Sequence, residues 1–239
     1  MLSAPSKKYI MPNSEGIEKY SSDISLISQS RAGNEYRLKR LIDIILSVVG
    51  ITISLPISFL ISLLIYCEDR GSIFYSQKRV GKDGILFDAP KFRTMIENSD
   101  ELFGSMQAAV NDPRITRVGK ILRDTALDEI PQIWCILKGK MSFVGPRALA
   151  PAEIESGNCH NDVIKSMYEI PGYKKRIMVR PGLTGIAQIF APRDINRRNK
   201  FRYDSIYINN MGLVFDMKLI ILSFLITFLG RWEKRGDKF

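Results

Sequence analysis

The chain has 239 residues, 45% hydrophobic and 25% charged, with a formal net charge of +10. That length suffices for one sizeable domain or two small ones with a real core, and the charge points to an anionic partner: a phosphorylated substrate, an acidic membrane face or nucleic acid. Nucleic acid is excluded as the main expectation, because the basic residues are scattered between apolar segments and no nucleic-acid module is present. The single histidine, His160, argues against a His-based zinc site or a Ser-His-Asp triad, which leaves chemistry to carboxylates, lysines and arginines.

Residues 1–34 are polar and serine-rich, and they read as a flexible N-terminal extension without the apolar core of a cleavable signal. Residues 35–69 follow as a membrane segment. Ile44 to Cys67 carries no charge over 24 residues, and about 20 apolar residues cross a bilayer. Pro56 sits near its middle, removing a backbone donor and disturbing the carbonyl of Thr52, while Ser54 and Ser58 offer hydroxyls to the freed groups. A straight helix of that length spans roughly 36 Å, but each arm about Pro56 only about 18 Å. A crossing helix and a sharply bent one that returns to its own side both fit. Arg37, Lys39 and Arg40 before the segment, and Arg70, Lys78, Arg79 and Lys82 after it, are what the positive-inside rule expects when both ends are cytoplasmic.

Beyond the membrane segment, Ile73–Tyr75 and Ile85–Phe87 flank a turn of Gly81, Lys82, Asp83 and Gly84, which predicts a β-hairpin. Residues 96–110 read as helical. Asn111-Asp112-Pro113 marks a turn, and Arg117 to Leu122 alternates basic and apolar residues at helical spacing. Gly145-Pro146-Arg147 and the run from Arg180 to Gly185 are expected loops, 148–175 is irregular or helical, and Ala187–Phe190 is expected to be a short strand. Leu219 to Gly230 is an apolar run too short to span. With Trp232, Arg231, Lys234 and Arg235 behind it, it reads either as an amphipathic helix at the membrane interface or as a core helix.

Arg123 to Gln132, RDTALDEIPQ, holds the adjacent carboxylates Asp128 and Glu129. Ile130, Ile133, Trp134 and Leu137 recur at helical spacing, which predicts a helix with Asp128 as N-cap, Pro131 in the first turn and Gly139 as its stop. Alone, this is a capped helix with an acidic first turn. Around it, Lys91, Arg93, Arg114, Arg123, Arg147, Arg180 and Arg193 stand at loop edges. Several of them converging would clamp a diphosphate, since guanidinium groups bind phosphate oxygens in pairs. A carboxylate beside such a clamp can attack phosphorus if charge is neutralised, normally by Mg²⁺.

The ordered segments KRLIDIILS, QKRVGKDGILF, KFRTM, DPRITRVGKILR, LDEIPQIWCILKGKMSFVGPR and RPGLTGIAQ resemble the bacterial sugar transferases. These are monotopic polyprenyl-phosphate phosphoglycosyl transferases, and the resemblance covers about Lys39 to Leu219, in the small form of the family. It implies a helix-rich α+β monotopic protein with a re-entrant membrane helix broken at Ser54 and Pro56, a small β-hairpin and amphipathic interfacial helices. Residues 70–239 would form a catalytic domain on the cytoplasmic face of a bacterial inner membrane. It implies transfer of a phosphosugar from a UDP-sugar to a polyprenyl phosphate such as undecaprenyl phosphate, releasing UMP, through a covalent intermediate on Asp128. Glu129 would be its partner for metal binding or proton handling, with Asp128 and Glu129 as the Mg²⁺ ligands. Lys91, Arg93, Arg123 and Arg147 would bind phosphate, and Arg193 would face the nucleotide. The expected partners are these substrates and membrane lipid, with a homodimer left open.

Three positions depart from the family pattern: Ser54-Leu55-Pro56 in place of adjacent serine and proline, Ala148 in place of proline, and Ile189 to Arg193 reading IFAPR. The alternative reading is a non-catalytic, basic, membrane-anchored adaptor. It accounts for the charge and the apolar runs but not for paired carboxylates among spaced arginines.

Overall fold

A computed structural model describes residues 37–97, 99, 112–151, 170–191 and 197–229. The expectations for residues 1–34, most of 96–110, 152–169 and the C-terminal Arg231, Trp232, Lys234 and Arg235 lie outside the described residues.

The long uncharged run forms helix α1 (Arg37–Asp69), which carries Pro56 in its interior. Its stretch Leu38–Asp69 is long and apolar enough to cross a membrane. Ser54 Oγ donates to the Ile51 carbonyl at 3.2 Å and Ser62 Oγ to Ser58 at 2.7 Å, so local hydroxyls bind carbonyls on both sides of the proline. One stripe of α1 is buried: Lys39, Asp43, Ser47, Ile61 and Ile65. The opposite stripe leaves Ile53, Leu55, Phe59 and Leu60 exposed, Phe59 at 75%. So much exposed apolar surface fits a lipid environment and not water.

The hairpin is longer than the sequence suggests. Strands β1 (Phe74–Val80) and β2 (Leu86–Phe92) pair antiparallel, with Tyr75 opposite Lys91, Gln77 opposite Ala89 and Arg79 opposite Phe87. Asp83 and Gly84 turn the chain with φ of 56° and 77°. Phe87 and Ala89 point inward and pack with Cys135, Ile136 and Met141. Strand alternation puts Arg79 and Lys91 on that same inward face.

Helix α2 (Arg117–Thr125) forms where basic and apolar residues alternate. Thr116 caps it by accepting from Gly119 N at 2.9 Å, and Glu68, at the end of α1, accepts from the amides of Arg117 and Val118 at 2.8 and 3.3 Å. Gly119 permits a close approach, since a Cβ there would lie 2.1 Å from the Thr94 carbonyl.

The next segment corrects the N-cap assigned from sequence. Ala126 ends α2 in the left-handed conformation, and Leu127–Gln132 is a tight 3₁₀ helix. Only then does the short α3 (Ile133–Leu137) begin, with Gln132 at its N-cap and Gly139 turning out at φ 77°. Asp128 is therefore not an N-cap but the second residue of the 3₁₀ helix. Pro131 has no N–H to continue an α-helical ladder back through the acidic pair.

Strand β3 (Ser142–Val144) pairs in parallel with β4 (Gly182–Thr184), so part of the expected Arg180–Gly185 loop is strand. Ile186–Phe190 is helix α5, not the expected strand at Ala187–Phe190. Its buried Ile186 and Ile189 are three residues apart, which is helical spacing. Between the strands lies the short helix α4 (Tyr173–Arg176). Helices α6 (Arg197–Asn209) and α7 (Leu213–Phe228) complete the described chain. Leu219 and Ile226 of α7 enter a core with Val144, Val179, Ile189, Tyr207 and Ile208, while Val214, Ile221, Phe224 and Phe228 face outward. The run from Leu219 thus packs on the core along one face and presents apolar side chains on the other.

Helix α1 is fastened to this body at both ends. Lys39 Nζ donates to Asp216 Oδ2 at 2.6 Å and to the Tyr207 hydroxyl at 3.1 Å, and Tyr207 donates to Asp216 Oδ1 at 2.8 Å. Arg40 donates to the carbonyls of Ile136 and Leu137 at 2.6 and 2.7 Å. At the other end Asp69 pairs with Arg93. The Lys39 and Asp216 side chains are only 4% and 5% exposed, and removing one partner of a buried pair costs about 3–5 kcal/mol. Lys39→Ala should therefore lower the unfolding free energy in detergent by about that amount, and Lys39→Met with Asp216→Leu should recover most of it. A Lys39→Ala loss below about 1 kcal/mol would contradict this fastening.

Candidate active site

The 3₁₀ helix Leu127–Gln132 packs beneath β2 and carries Asp128 and Glu129 into the interior. Two adjacent carboxylates repel each other, and burial adds a desolvation cost for each. Cations from two separate segments meet them. Lys91 of β2 donates to Glu129 Oε1 at 2.5 Å and lies 3.7 Å from Asp128 Oδ2. Arg147, in the loop after β3, places Nη2 3.1 Å from the same Glu129 oxygen. A third cation, Arg123 near the end of α2, donates through Nε to Thr94 Oγ1 at 2.9 Å and interacts electrostatically with Asp128.

The two acids are held differently. Burial is the largest influence on Asp128 and pushes its pKa up, with Glu129 adding to the rise; Lys91, Arg123 and Arg147 pull the other way without cancelling it. At Glu129 burial also pushes up, but the charges and hydrogen bonds of Lys91 and Arg147 outweigh it and hold the group down at about 2. Burial lowers the pKa of Arg123, against the pull of Asp128 and Asp112. The result is an unequal pair: Glu129 is committed to its two cations, and Asp128 is the more basic carboxylate.

Beside them opens a shallow cleft lined by Arg79, Ala89, Lys91, Glu129, Gln132, Met141, Arg147, Ala148 and Gly182. Gly182 lies close against the loop that carries Arg147, accepting a backbone bond geometry (its N donates to the Pro146 carbonyl at 2.8 Å) that leaves no room for a side chain. Arg176 secures the same loop by donating to the Arg147 carbonyl.

Of the residues expected from sequence, Asp128, Glu129, Lys91 and Arg147 come together, with Arg123 electrostatically linked to Asp128. Arg93 does not join them. It follows the end of β2, and its guanidinium is paired with Asp69 at the end of α1. Arg114 forms a buried pair with Asp112, and Arg180 donates to the Gly139 carbonyl. Ser54 and Pro56 lie in the middle of α1, and Arg193 lies outside the described residues. Arg79 and Gln132 also line the cleft and are not among the site residues expected from sequence. For Arg79 the signal was present in QKRVGK, where strand alternation from Lys91 through the hairpin register reaches it.

No group of three or more His, Cys, Asp or Glu side chains suited to a metal exists among the described residues. Mg²⁺, however, is commonly held by one or two carboxylates together with substrate phosphates. The hard oxygen donors of Asp128 and Glu129, adjacent and beside the cleft, suit that shared mode and not a site closed by protein alone.

The family model described as bacterial sugar transferase matches residues 34–230. The exopolysaccharide production protein ExoY of Sinorhizobium fredii (strain NBRC 101917 / NGR234) is 34% identical over 207 residues, covering 81% of this chain and 86% of that protein. The UDP-glucose:undecaprenyl-phosphate glucose-1-phosphate transferase of Klebsiella pneumoniae is 37% identical over 200 residues, covering 81% of this chain and 40% of that protein. A UDP-N-acetylgalactosamine-undecaprenyl-phosphate N-acetylgalactosaminephosphotransferase of Aeromonas hydrophila is 36% identical over 195 residues, covering 80% of this chain and 44% of that protein. The chain thus spans most of the length of ExoY and less than half that of these two transferases.

Proposed function

The chain belongs to the bacterial sugar transferase family, an enzyme family, and from that membership we propose that it transfers a phosphosugar from a UDP-sugar to a polyprenyl phosphate such as undecaprenyl phosphate. UMP is released, and the product starts a surface polysaccharide or related glycoconjugate. The observation that carries this reading is the unequal carboxylate pair, gripped by Lys91 and Arg147 at the edge of a cleft. The names of the Klebsiella and Aeromonas relatives, one for a UDP-glucose and one for a UDP-N-acetylgalactosamine substrate, support the substrate class.

In this mechanism an oxygen of Asp128 attacks the phosphorus next to the sugar. The bond from that phosphorus to the bridging oxygen breaks, its electron pair leaves with UMP, and the phosphosugar is held on the carboxylate. An oxygen of the polyprenyl phosphate then attacks the same phosphorus and frees Asp128. Asp128 suits the role of nucleophile because its lone pairs are less committed than those of Glu129. Lys91 and Arg147 bring positive charge to the transferring phosphate, where an anion must approach an anion. When bound, Mg²⁺ held by Asp128 and Glu129 would supply further charge neutralisation.

Membrane placement follows the same logic. From Lys39 to Asp69 a straight helix would run about 45 Å, more than the roughly 30 Å of a hydrocarbon core. Both ends are nevertheless bonded to the one body that carries the site, Lys39 to Asp216 and Asp69 to Arg93. That supports a re-entrant helix with both ends on the cytoplasmic face, where a soluble nucleotide-sugar and the head of a membrane-held phosphate meet.

Two experiments test these readings. Membranes containing the protein, with undecaprenyl phosphate, Mg²⁺ and a panel of UDP-sugars, should release UMP with at least one sugar, and Asp128→Asn should abolish the release. Turnover retained in Asp128→Asn would remove Asp128 as nucleophile. For topology, single cysteines at Leu38 and Ser72, with Cys67, Cys135 and Cys159 replaced, should both resist an impermeant thiol reagent applied from outside. Labelling of just one of them would mean that the helix crosses.

A further inference from the structure

Resting on the transferase reading, we propose that Arg79 binds the phosphate that departs with the nucleoside. Arg79 lies on the inward face of the hairpin, two inward rungs from the Tyr75–Lys91 pair, a displacement of about 13 Å along the strands at about 3.3 Å per residue. It nevertheless lines the same cleft as Lys91, Glu129 and Arg147, so long side chains from both ends of the hairpin converge there.

The guanidinium is oriented before any ligand arrives. Nη2 donates to Gln77 Oε1 at 2.6 Å, one inward position away on β1, and Nη1 donates to the Ala148 carbonyl at 3.1 Å. The adjacent Val80 amide bonds to the Leu149 carbonyl at 2.8 Å, so two successive residues of β1 tie the strand to the loop carrying Arg147. A fork fixed in this way loses little further freedom on meeting a phosphate.

The division of labour follows from position. Lys91 and Arg147 are bonded to Glu129 beside the nucleophile, which places them at the phosphorus under attack. When the bond to the bridging oxygen breaks, its electron pair becomes added negative charge on the nucleoside monophosphate. That charge appears on the far side of the reacting phosphorus. Arg79, reaching the cleft from the opposite end of the hairpin, is placed to receive it, and paired guanidinium–phosphate bonds strengthen as charge develops.

The test uses the full-length enzyme in membranes, with UMP as the probe. Arg79→Met should raise the UMP inhibition constant and lower kcat/KM for the UDP-sugar by about 10-fold or more, the worth of a hydrogen bond to a charged group. The KM for polyprenyl phosphate should stay within about 2-fold, since about 0.4 kcal/mol or less is then lost on that side. Arg79→Lys should recover part of the UMP affinity, and Gln77→Leu, which loosens the fork, should weaken UMP inhibition in the same direction by less. These two milder variants carry the test if Arg79→Met does not fold. An unchanged UMP inhibition constant in the folded variants would overturn the proposal. So would a parallel rise in the KM of both substrates, because Arg79 would then act only by holding the Arg147 loop. A wild-type protein that releases no UMP from any UDP-sugar would instead overturn the transferase reading itself.

Discussion

Two neighbouring carboxylates buried on one tight turn set the central constraint of this structure. Taking a charged group out of water costs several kcal/mol per ion unless it is paired, and here the second charge is on the next residue. The turn can exist only if cations are delivered to it from elsewhere. Lys91 comes from the hairpin, Arg147 from the loop after β3 and Arg123 from α2. The long hairpin, the close helix approach at Gly119 and the crowded backbone at Gly182 all serve to bring these distant segments near the pair.

The same turn is mounted on the membrane helix. Arg40 binds the carbonyls at the end of α3, and a side chain added at Gly50 would meet Ile133 at 3.6 Å. Further along α1, Ile61 and Ile65 form a cluster with Phe92 and Leu122, on which Leu127 and Ile130 rest. Residues from both sides of Pro56 therefore contact the segment that carries the acids. The apolar helix is thus not a tether attached to a finished enzyme but part of the wall behind its reacting groups.

Much of this was legible in the sequence, and the gaps have physical causes. The apolar run, the hairpin turn at Gly81–Gly84 and the helix from Arg117 were set by local composition and periodicity, which tertiary contacts left intact. The N-cap at Asp128 failed because Ala126 adopts a left-handed conformation, a backbone choice that no side-chain pattern at an alanine announces. The expected strand at Ala187–Phe190 failed because a short apolar run fits either period, and packing of Ile186 and Ile189 against the core selected the helix. Among the cations, Arg93 stands in the KFRTM segment but pairs with Asp69, apart from the acidic pair. β2 ends before Arg93, whereas the register carries Arg79 onto the same inward face as Lys91, two inward rungs away.

In the proposed mechanism Asp128, the less committed of the two acids, takes the phosphosugar. The most direct measurement is mass spectrometry of the enzyme quenched after incubation with its UDP-sugar in the absence of polyprenyl phosphate. A phosphosugar adduct is expected on the peptide containing Asp128, absent from Asp128→Asn and discharged when polyprenyl phosphate is added. An adduct on any other residue, or UMP release with no adduct on the enzyme under single-turnover conditions, would contradict it.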